Sequence, residues 1–314
     1  MKTTFTPGRI WLDTDGVPIQ AHGGGVLFHD GVYYWFGENK NGITRRNKVV
    51  GFNTDAVGVS YYASTDLYNW ENQGLALPAV GGPPEHDLHT SKIIERPKVF
   101  HNDLTGQFVM FMHIDTSDYR LAKVGIALSE KATGPYHYLG SIIPHNSDSR
   151  DMTVFKDEDG KAYLFHSSEW NATLYAGELS GDYCHTTDRF TKNFENGFRE
   201  APAVFKRNGK YHLLTSGCTG WDPNPAQAAV AENILGPWKA TGNPCAGPHA
   251  GKTFFGQGTF VFPVAGEPDA YIAMFDRWNK RDLGASTYLW LPVRFNGEDV
   301  RIEWQDEWDL SIFG

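Results

Sequence analysis

No run of apolar residues approaches the roughly 18 to 20 that cross a bilayer, and the first residues, Met1-Lys2-Thr3-Thr4-Phe5-Thr6-Pro7, lack the apolar segment of a signal peptide. The expectation is a soluble chain, cytoplasmic if Met1 is native and secreted if a leader has been trimmed. Cysteine is scarce. The three, Cys184, Cys218 and Cys245, are odd in number and widely spaced, which argues against a disulfide framework or a zinc site and reads as buried free thiols. Positive charge is short too, with 28 Lys and Arg against 37 Asp and Glu, and the densest basic stretch is only Arg45-Arg46 to Lys48. A phosphate backbone would meet net repulsion, so neither nucleic acid nor a membrane is expected as a partner. Helical periodicity is scarce as well, and no linker divides the chain, which reads as one domain over 1–314.

What the chain has in abundance is aromatic residues, 14% of the total, punctuated at short intervals by 34 Gly and 17 Pro. That combination favours short strands joined by turns. One unit recurs: an apolar run, a polar Gly, Asp or Asn turn, then an aromatic-rich run. It reads Gly24 to Phe36, Pro97 to Phe111, Met152 to Phe165, Pro202 to Leu214 and Gly258 to Phe275. Further strand pairs follow, ending near Asn69-Trp70, Gly134-Pro135-Tyr136 and Gly236-Pro237-Trp238. About four strands per unit, and units at intervals of roughly 50 to 70 residues, predict an all-β, five-bladed β-propeller. A β-sandwich would supply short strands but no reason for fivefold recurrence.

In a propeller the first strand of each blade lines the axis, and residues at its start open into a pocket on one face. Those positions carry His22, Glu95-Arg96, Arg150-Asp151, Arg199-Glu200 and Gln257. Each acid has an adjacent arginine that offers it a structural partner. Neighbours on a strand point to opposite faces, however, so the arginines are expected to face away while the acids converge. Like charges gathered in one pocket push at least one carboxyl pKa upward. A carboxylic acid that keeps its proton, a second carboxylate and flat aromatic walls suit glycoside hydrolysis. Trp221, in the stretch Ser216-Gly217-Cys218-Thr219-Gly220-Trp221-Asp222, follows a blade-four strand directly. Tyr119 and Asn171 occupy the corresponding loops of blades two and three, where they could bond sugar hydroxyls.

The five-unit pattern, Ser149-Arg150-Asp151-Met152, Arg199-Glu200-Ala201-Pro202 and the Ser216 to Trp221 stretch resemble glycoside hydrolase family 43, five-bladed propellers that hydrolyse with inversion. Ile94-Glu95-Arg96-Pro97-Lys98-Val99 and Phe255-Gly256-Gln257-Gly258-Thr259 resemble its exo-β-1,3-galactanase (galactan 1,3-β-galactosidase) subgroup. The resemblance runs from about residue 20 to about residue 290. It implies exo-acting release of galactose from β-1,3-galactan, the arabinogalactan backbone, so the partner is an oligo- or polysaccharide. By position it implies Glu200 as general acid and Asp151 as the group that orients that acid and tunes its pKa. Glu38 is implied as a sugar contact, with a solvated strand end as its plainer reading, and Tyr119, Asn171, Thr219 and Trp221 are the other candidate sugar contacts.

One departure matters. The family's general base, an Asp just before the first strand, is missing, and His22-Gly23-Gly24-Gly25 stands in its place. The glycines are expected to line the pocket floor and leave room there. Two versions of water activation stay open. Either Gln257 orients the water, an imidic acid tautomer being one form it could use, or Glu95 is the base and Gln257 only binds; the resemblance favours the first. Inversion would separate the acid from the water-activating group by roughly 6.5 to 9.5 Å. Such chemistry requires no cofactor and no metal. Because the fifth unit and a closing segment around Val300 to Trp308 use up the C-terminus, no separate carbohydrate-binding module is expected. The rival readings are an α-L-arabinofuranosidase or β-xylosidase of the same family, and a propeller that binds sugar without catalysis.

Overall fold

Alternation decides the architecture. In the strand Phe108–Asp115, Met110, Met112 and Ile114 pack towards one neighbouring sheet while Val109 and Phe111 pack towards the other. In Ala162–Ser168, Ala162 and Leu164 point one way and Tyr163 and Phe165 the other. A strand apolar on both faces needs a sheet on each side, and sheets stacked radially about an axis give every one of them two neighbours.

The computed structural model describes residues 1–314 and shows that arrangement. Blade one holds β1 (His22–His29) and β2 (Val32–Glu38), then a separate hairpin of β3 (Thr44–Asn47) and β4 (Gly51–Thr54), then β5 (Gly58–Ser64) and β6 (Glu71–Pro78). Blade two is β7 (Ile93–His101), β8 (Phe108–Asp115), β9 (Lys123–Ser129) and β10 (His137–Ile142). Blade three is β11 (Met152–Lys156), β12 (Ala162–Ser168), β13 (Thr173–Leu179) and β14 (Thr186–Asn193). Blade four is β15 (Arg199–Arg207), β16 (Lys210–Gly217), β17 (Gln227–Ala231) and β18 (Lys239–Gly242). After the short β19 (Cys245–Ala246) comes blade five: β20 (Gln257–Pro263), β21 (Tyr271–Arg277), β22 (Thr287–Asn296) and β23 (Asp299–Glu303), with β19 parallel to β23 on its outer edge.

Five apolar clusters fill the five gaps between blades. The largest, 18 buried residues between blades five and one, includes the fully buried Trp35, Trp70 and Trp290 and takes in Phe5 and Trp308 from opposite ends of the chain. Phe5 and Trp308 exchange backbone hydrogen bonds of 2.7 and 3.1 Å, and their rings stack 4.3 Å apart. Because each blade comes from one continuous segment, no strand is shared across the closure. The ring is shut by this aromatic packing.

At the axis the innermost strands are irregular. Register shifts interrupt β1 between His22 and Gly25, β7 between Glu95 and Lys98, β15 between Glu200 and Ala203 and β20 between Gly258 and Phe260. Gly23, Arg96 and Ala201 take left-handed backbone angles there. A bulge breaks the two-residue alternation, so neighbouring side chains reach the same space. Below the bulges Lys98, wholly buried, fills the axis, its ammonium donating to the Gly23 carbonyl at 2.7 Å. Its neighbour Arg96 lines a polar pocket, and Phe260, on its other side, lines a mostly apolar cavity of about 340 Å³ with Val26, Phe100, Val154 and Val204.

Candidate active site

The polar pocket has a volume of about 320 Å³, and Glu38, Glu95, Tyr119, Asp151, Asn171, Glu200, Trp221 and Gln257 all line it. Thr219 does not. It is exposed, its hydroxyl donates to the Asp222 carbonyl and accepts from Asn224, and so it braces the turn that presents Trp221. Cys218 also corrects the reading of the cysteines. Only Cys245 is buried, whereas Cys218 is exposed at the pocket rim, its sulfur turned into the pocket, where desolvation first and then the charge of Glu200 push the thiol up to about 12.

Arg96 organises the centre. The bulge in β7 turns it inward beside Glu95, against the alternation that would have sent it away. Its guanidinium donates twice to Asp151, at 3.1 and 2.8 Å, and also to Gln257 Oε1 and the Gly258 carbonyl, each at 2.8 Å. Asp151 accepts a further bond from the Ala201 backbone at 3.0 Å. Of the other two arginines, Arg199 behaves as expected and turns to Thr215, while Arg150 pairs with Asp148 at the pocket edge.

Glu200 is therefore left without a cation of its own. Burial, then the negative charge of Asp151, push its carboxyl up to about 8, with Arg96 opposing. Its Oε1 accepts from Gln257 Nε2 at 2.9 Å, and its Oε2 faces Asn171 Nδ2 at 3.3 Å. Gln257 is saturated. Its Oε1 accepts from Arg96 and, at 3.1 Å, from the indole of Trp278, while its amide nitrogen donates to Glu200 and to Ser216 at 3.1 Å. Two donors on the oxygen and two acceptors at the nitrogen favour the ordinary amide over its imidic tautomer.

Glu95 lives in the opposite field. Burial works against its charge, but Lys40, His113 and Arg96 outweigh it and hold the carboxyl far below its usual range. Lys40 reaches it at 3.2 Å, the Tyr119 hydroxyl at 3.1 Å and His113 Nδ1 at 3.5 Å. His113 bonds Asp115 at 2.8 Å on its other side; although burial pulls its pKa down, the two carboxylates keep it up at about 9. Glu38 is no solvated strand end. It is buried, pairs with Lys40 at 2.6 Å and accepts the Arg96 backbone N–H at 3.0 Å. Glu95, His113 and Asp151 each bring a potential ligand atom within 4.8 Å of the others, but Lys40 and Arg96 already neutralise those carboxylates, so the cluster is an ion-pair network.

The blade-one glycines do not leave room. A Cβ on Gly23 would sit 2.1 Å from Glu38 Oε1, one on Gly24 would sit 1.9 Å from the Phe36 carbonyl, and one on Gly25 would meet the Lys98 side chain at 2.7 Å. Close packing of backbone and side chains requires glycine at these positions. His22 is wholly buried outside the pocket, bonded to Asp276 at 2.9 Å and stacked on Tyr288.

Several contributors escaped the sequence reading: Arg96, expected to face away, His113, Trp170, Trp278 and the β3–β4 hairpin, whose tip brings Val49 and Val50 to the pocket, and Lys40, which pairs with Glu38 and Glu95 behind it. Lys40 and Trp278 follow the second strands of blades one and five, the same loop position as Tyr119, Asn171 and Trp221, and that shared position was the available signal.

A half-buried carboxyl whose pKa is raised to about 8, a second carboxylate clamped beside it and a wall of indoles form a pocket able to protonate a departing sugar oxygen. The family model described as Glycosyl hydrolases family 43 matches residues 26–289. The chain belongs to glycosyl hydrolase family 43. Its fold is the five-bladed propeller expected for that family. A solved family 43 β-1,3-galactosidase is 40% identical with a TM-score of 0.94, the match covering 100% of this chain and 65% of that one. The exo-β-1,3-galactanase of Phanerochaete chrysosporium, solved with β-1,3-galactotriose, is 34% identical with a TM-score of 0.87, covering 98% of this chain and 68% of that one. Among curated proteins, xylosidase/arabinosidase 43B of Humicola insolens is 28% identical over 203 residues, 58% of this chain and 35% of that protein. The chain thus spans about a third of the last and just under two thirds of the first.

Proposed function

We propose that this protein is an inverting exo-β-1,3-galactanase, releasing galactose from the end of β-1,3-galactan. The observation that carries the mechanism is the uncompensated burial of Glu200, which keeps its proton at neutral pH, together with the likeness to β-1,3-galactosidase and galactanase structures along the whole chain. Glu200 gives that proton to the glycosidic oxygen as the bond to the anomeric carbon breaks, and water attacks from the opposite face. Asp151, clamped by Arg96, supplies the negative charge that holds the proton on Glu200 and fixes Ala201 beside it. Gln257 is given the attacking water, for which it must release one of its four present hydrogen-bond partners; its amide nitrogen, 2.9 Å from Glu200 Oε1, stands inside the separation expected for inversion, so substrate entry has to part the two. Glu95 is a weak base by virtue of its three donors, so it serves with Glu38, Tyr119, Asn171 and Trp221 in gripping the sugar.

The deciding experiment incubates the protein with β-1,3-galactan and with aryl arabinofuranosides and xylosides, and follows the product by NMR. Galactose released first as the α-anomer supports the reading. Arabinose or xylose without galactose would overturn the substrate in favour of the activities named for the Humicola relative, and bound sugar with no turnover would leave only a binding propeller. Azide rescue separates the two versions of water activation: recovery in Gln257→Ala supports the role given to Gln257, and recovery in Glu95→Gln alone transfers it to Glu95.

A further inference from the structure

The hairpin β3–β4 roofs only part of the pocket. Asn47 donates to the Ser117 carbonyl of blade two at 2.7 Å, and Trp221 of blade four donates to the Phe52 carbonyl at 2.9 Å, so the hairpin is fastened over both. Trp278 of blade five packs edge-on against Trp221 with centroids 5.0 Å apart and continues that wall. Blade three carries no such cover. The loop after β12 instead raises Trp170 to the rim, where it lines the pocket yet is 64% exposed.

Trp170 is held there by design of the loop. Glu169, Trp170 and Asn171 all take left-handed backbone angles, and Asp148 accepts the N–H groups of Glu169 and Trp170 at 2.7 and 3.0 Å. The guanidinium of Arg150 backs the indole 4.1 Å from its centroid. A large apolar ring kept in water on a rigid mount loses the burial that normally stabilises it, and the flat face of a sugar is the partner such a ring fits. Next to it, Asn171 Oδ1 is buried with no hydrogen-bond partner. The other end of the Asn171 amide donates from Nδ2 to Glu200 Oε2 at 3.3 Å, while Glu200 Oε1 accepts from Gln257, so Oε2 is the oxygen turned to the blade-three loop. A leaving oxygen protonated by Oε2 therefore departs towards blade three.

The geometry points to Trp170 as the platform of a second sugar site, stacking the galactosyl residue on the leaving-group side of the cleaved bond; its occupant rests on the galactanase reading above. Steady-state kinetics on β-1,3-galactotriose, with galactose as a competing inhibitor of the inner site, test it. Trp170→Ala is expected to raise KM for the triose roughly three- to tenfold while leaving the inhibition constant of galactose unchanged, and Trp170→Phe is expected to regain most of the loss. An unchanged KM in Trp170→Ala, or equal weakening of triose and galactose, overturns the platform alone. A wild-type enzyme that frees no galactose from β-1,3-galactan overturns the substrate reading, and the galactosyl occupant with it.

Discussion

A single arginine accounts for most of the electrostatics in this pocket. By committing its guanidinium to Asp151 and Gln257, Arg96 leaves Glu200 without a paired cation, and burial together with Asp151 then sets the proton affinity of Glu200. Activity should accordingly fall as pH rises through about 8, where Glu200 loses the proton it must donate. In Asp151→Asn the main charge raising that pKa is gone, so the alkaline limb of kcat/KM should move to lower pH; an alkaline limb left in place would count against the coupling. Glu200→Gln should cut kcat by about 10²- to 10⁴-fold with sugar binding retained, checked by turnover and calorimetry side by side. Glu200, Asp151 and Gln257 were legible because each opens an innermost strand of a recurring unit. Arg96 was not, because its inward turn depends on a left-handed residue that is not glycine, and the alternation rule has no means of anticipating that.

At the scale of elements, the bulges near the starts of the innermost strands do what regular strands cannot, bringing adjacent side chains such as Glu95 and Arg96 into one space. They also explain the glycines of β1, which were read as room for substrate and prove to be close contacts, Gly24 with the backbone of Phe36 and Gly23 and Gly25 with the side chains of Glu38 and Lys98. Gly24→Ala would press its methyl onto the Phe36 carbonyl and should destabilise the fold by more than about 2 kcal/mol, read from the urea midpoint. The loops after the second strands follow one rule: in blades two to five they send Tyr119, Asn171, Trp221 and Trp278 to the pocket, and in blade one Lys40 stands behind it, paired with Glu38 and Glu95. Three of these were found from sequence. Lys40 and Trp278 were equally accessible by the same spacing, whereas the β3–β4 hairpin had no counterpart in the repeat to mark it.

For the whole molecule, fivefold recurrence made the architecture readable and marked Val300 to Trp308 as a closing segment, but it hid the partner, Phe5, which lies outside every repeat. Trp308→Ala removes a ring from the largest interblade cluster and should cost about 3 to 5 kcal/mol, seen as a lower Tm. Acid stability has a separate origin. Burial lowers the pKa of His145 to about 4, and burial with His145 lowers that of His166 to about 3, so the folded state resists protons that the unfolded chain accepts below about 6.5. The contribution is complete above that pH and is lost progressively as pH falls towards 4. Urea midpoints between pH 7 and pH 4 should decline, and His166→Gln should decline less steeply.

The buried Lys98 side chain beneath the pocket bears on the proposed exo cleavage. A monosaccharide cut in a pocket entered from one face is expected to leave by the way the polymer came in, so the shortened polymer should release first, and early-time product analysis should show chains trimmed one residue per encounter.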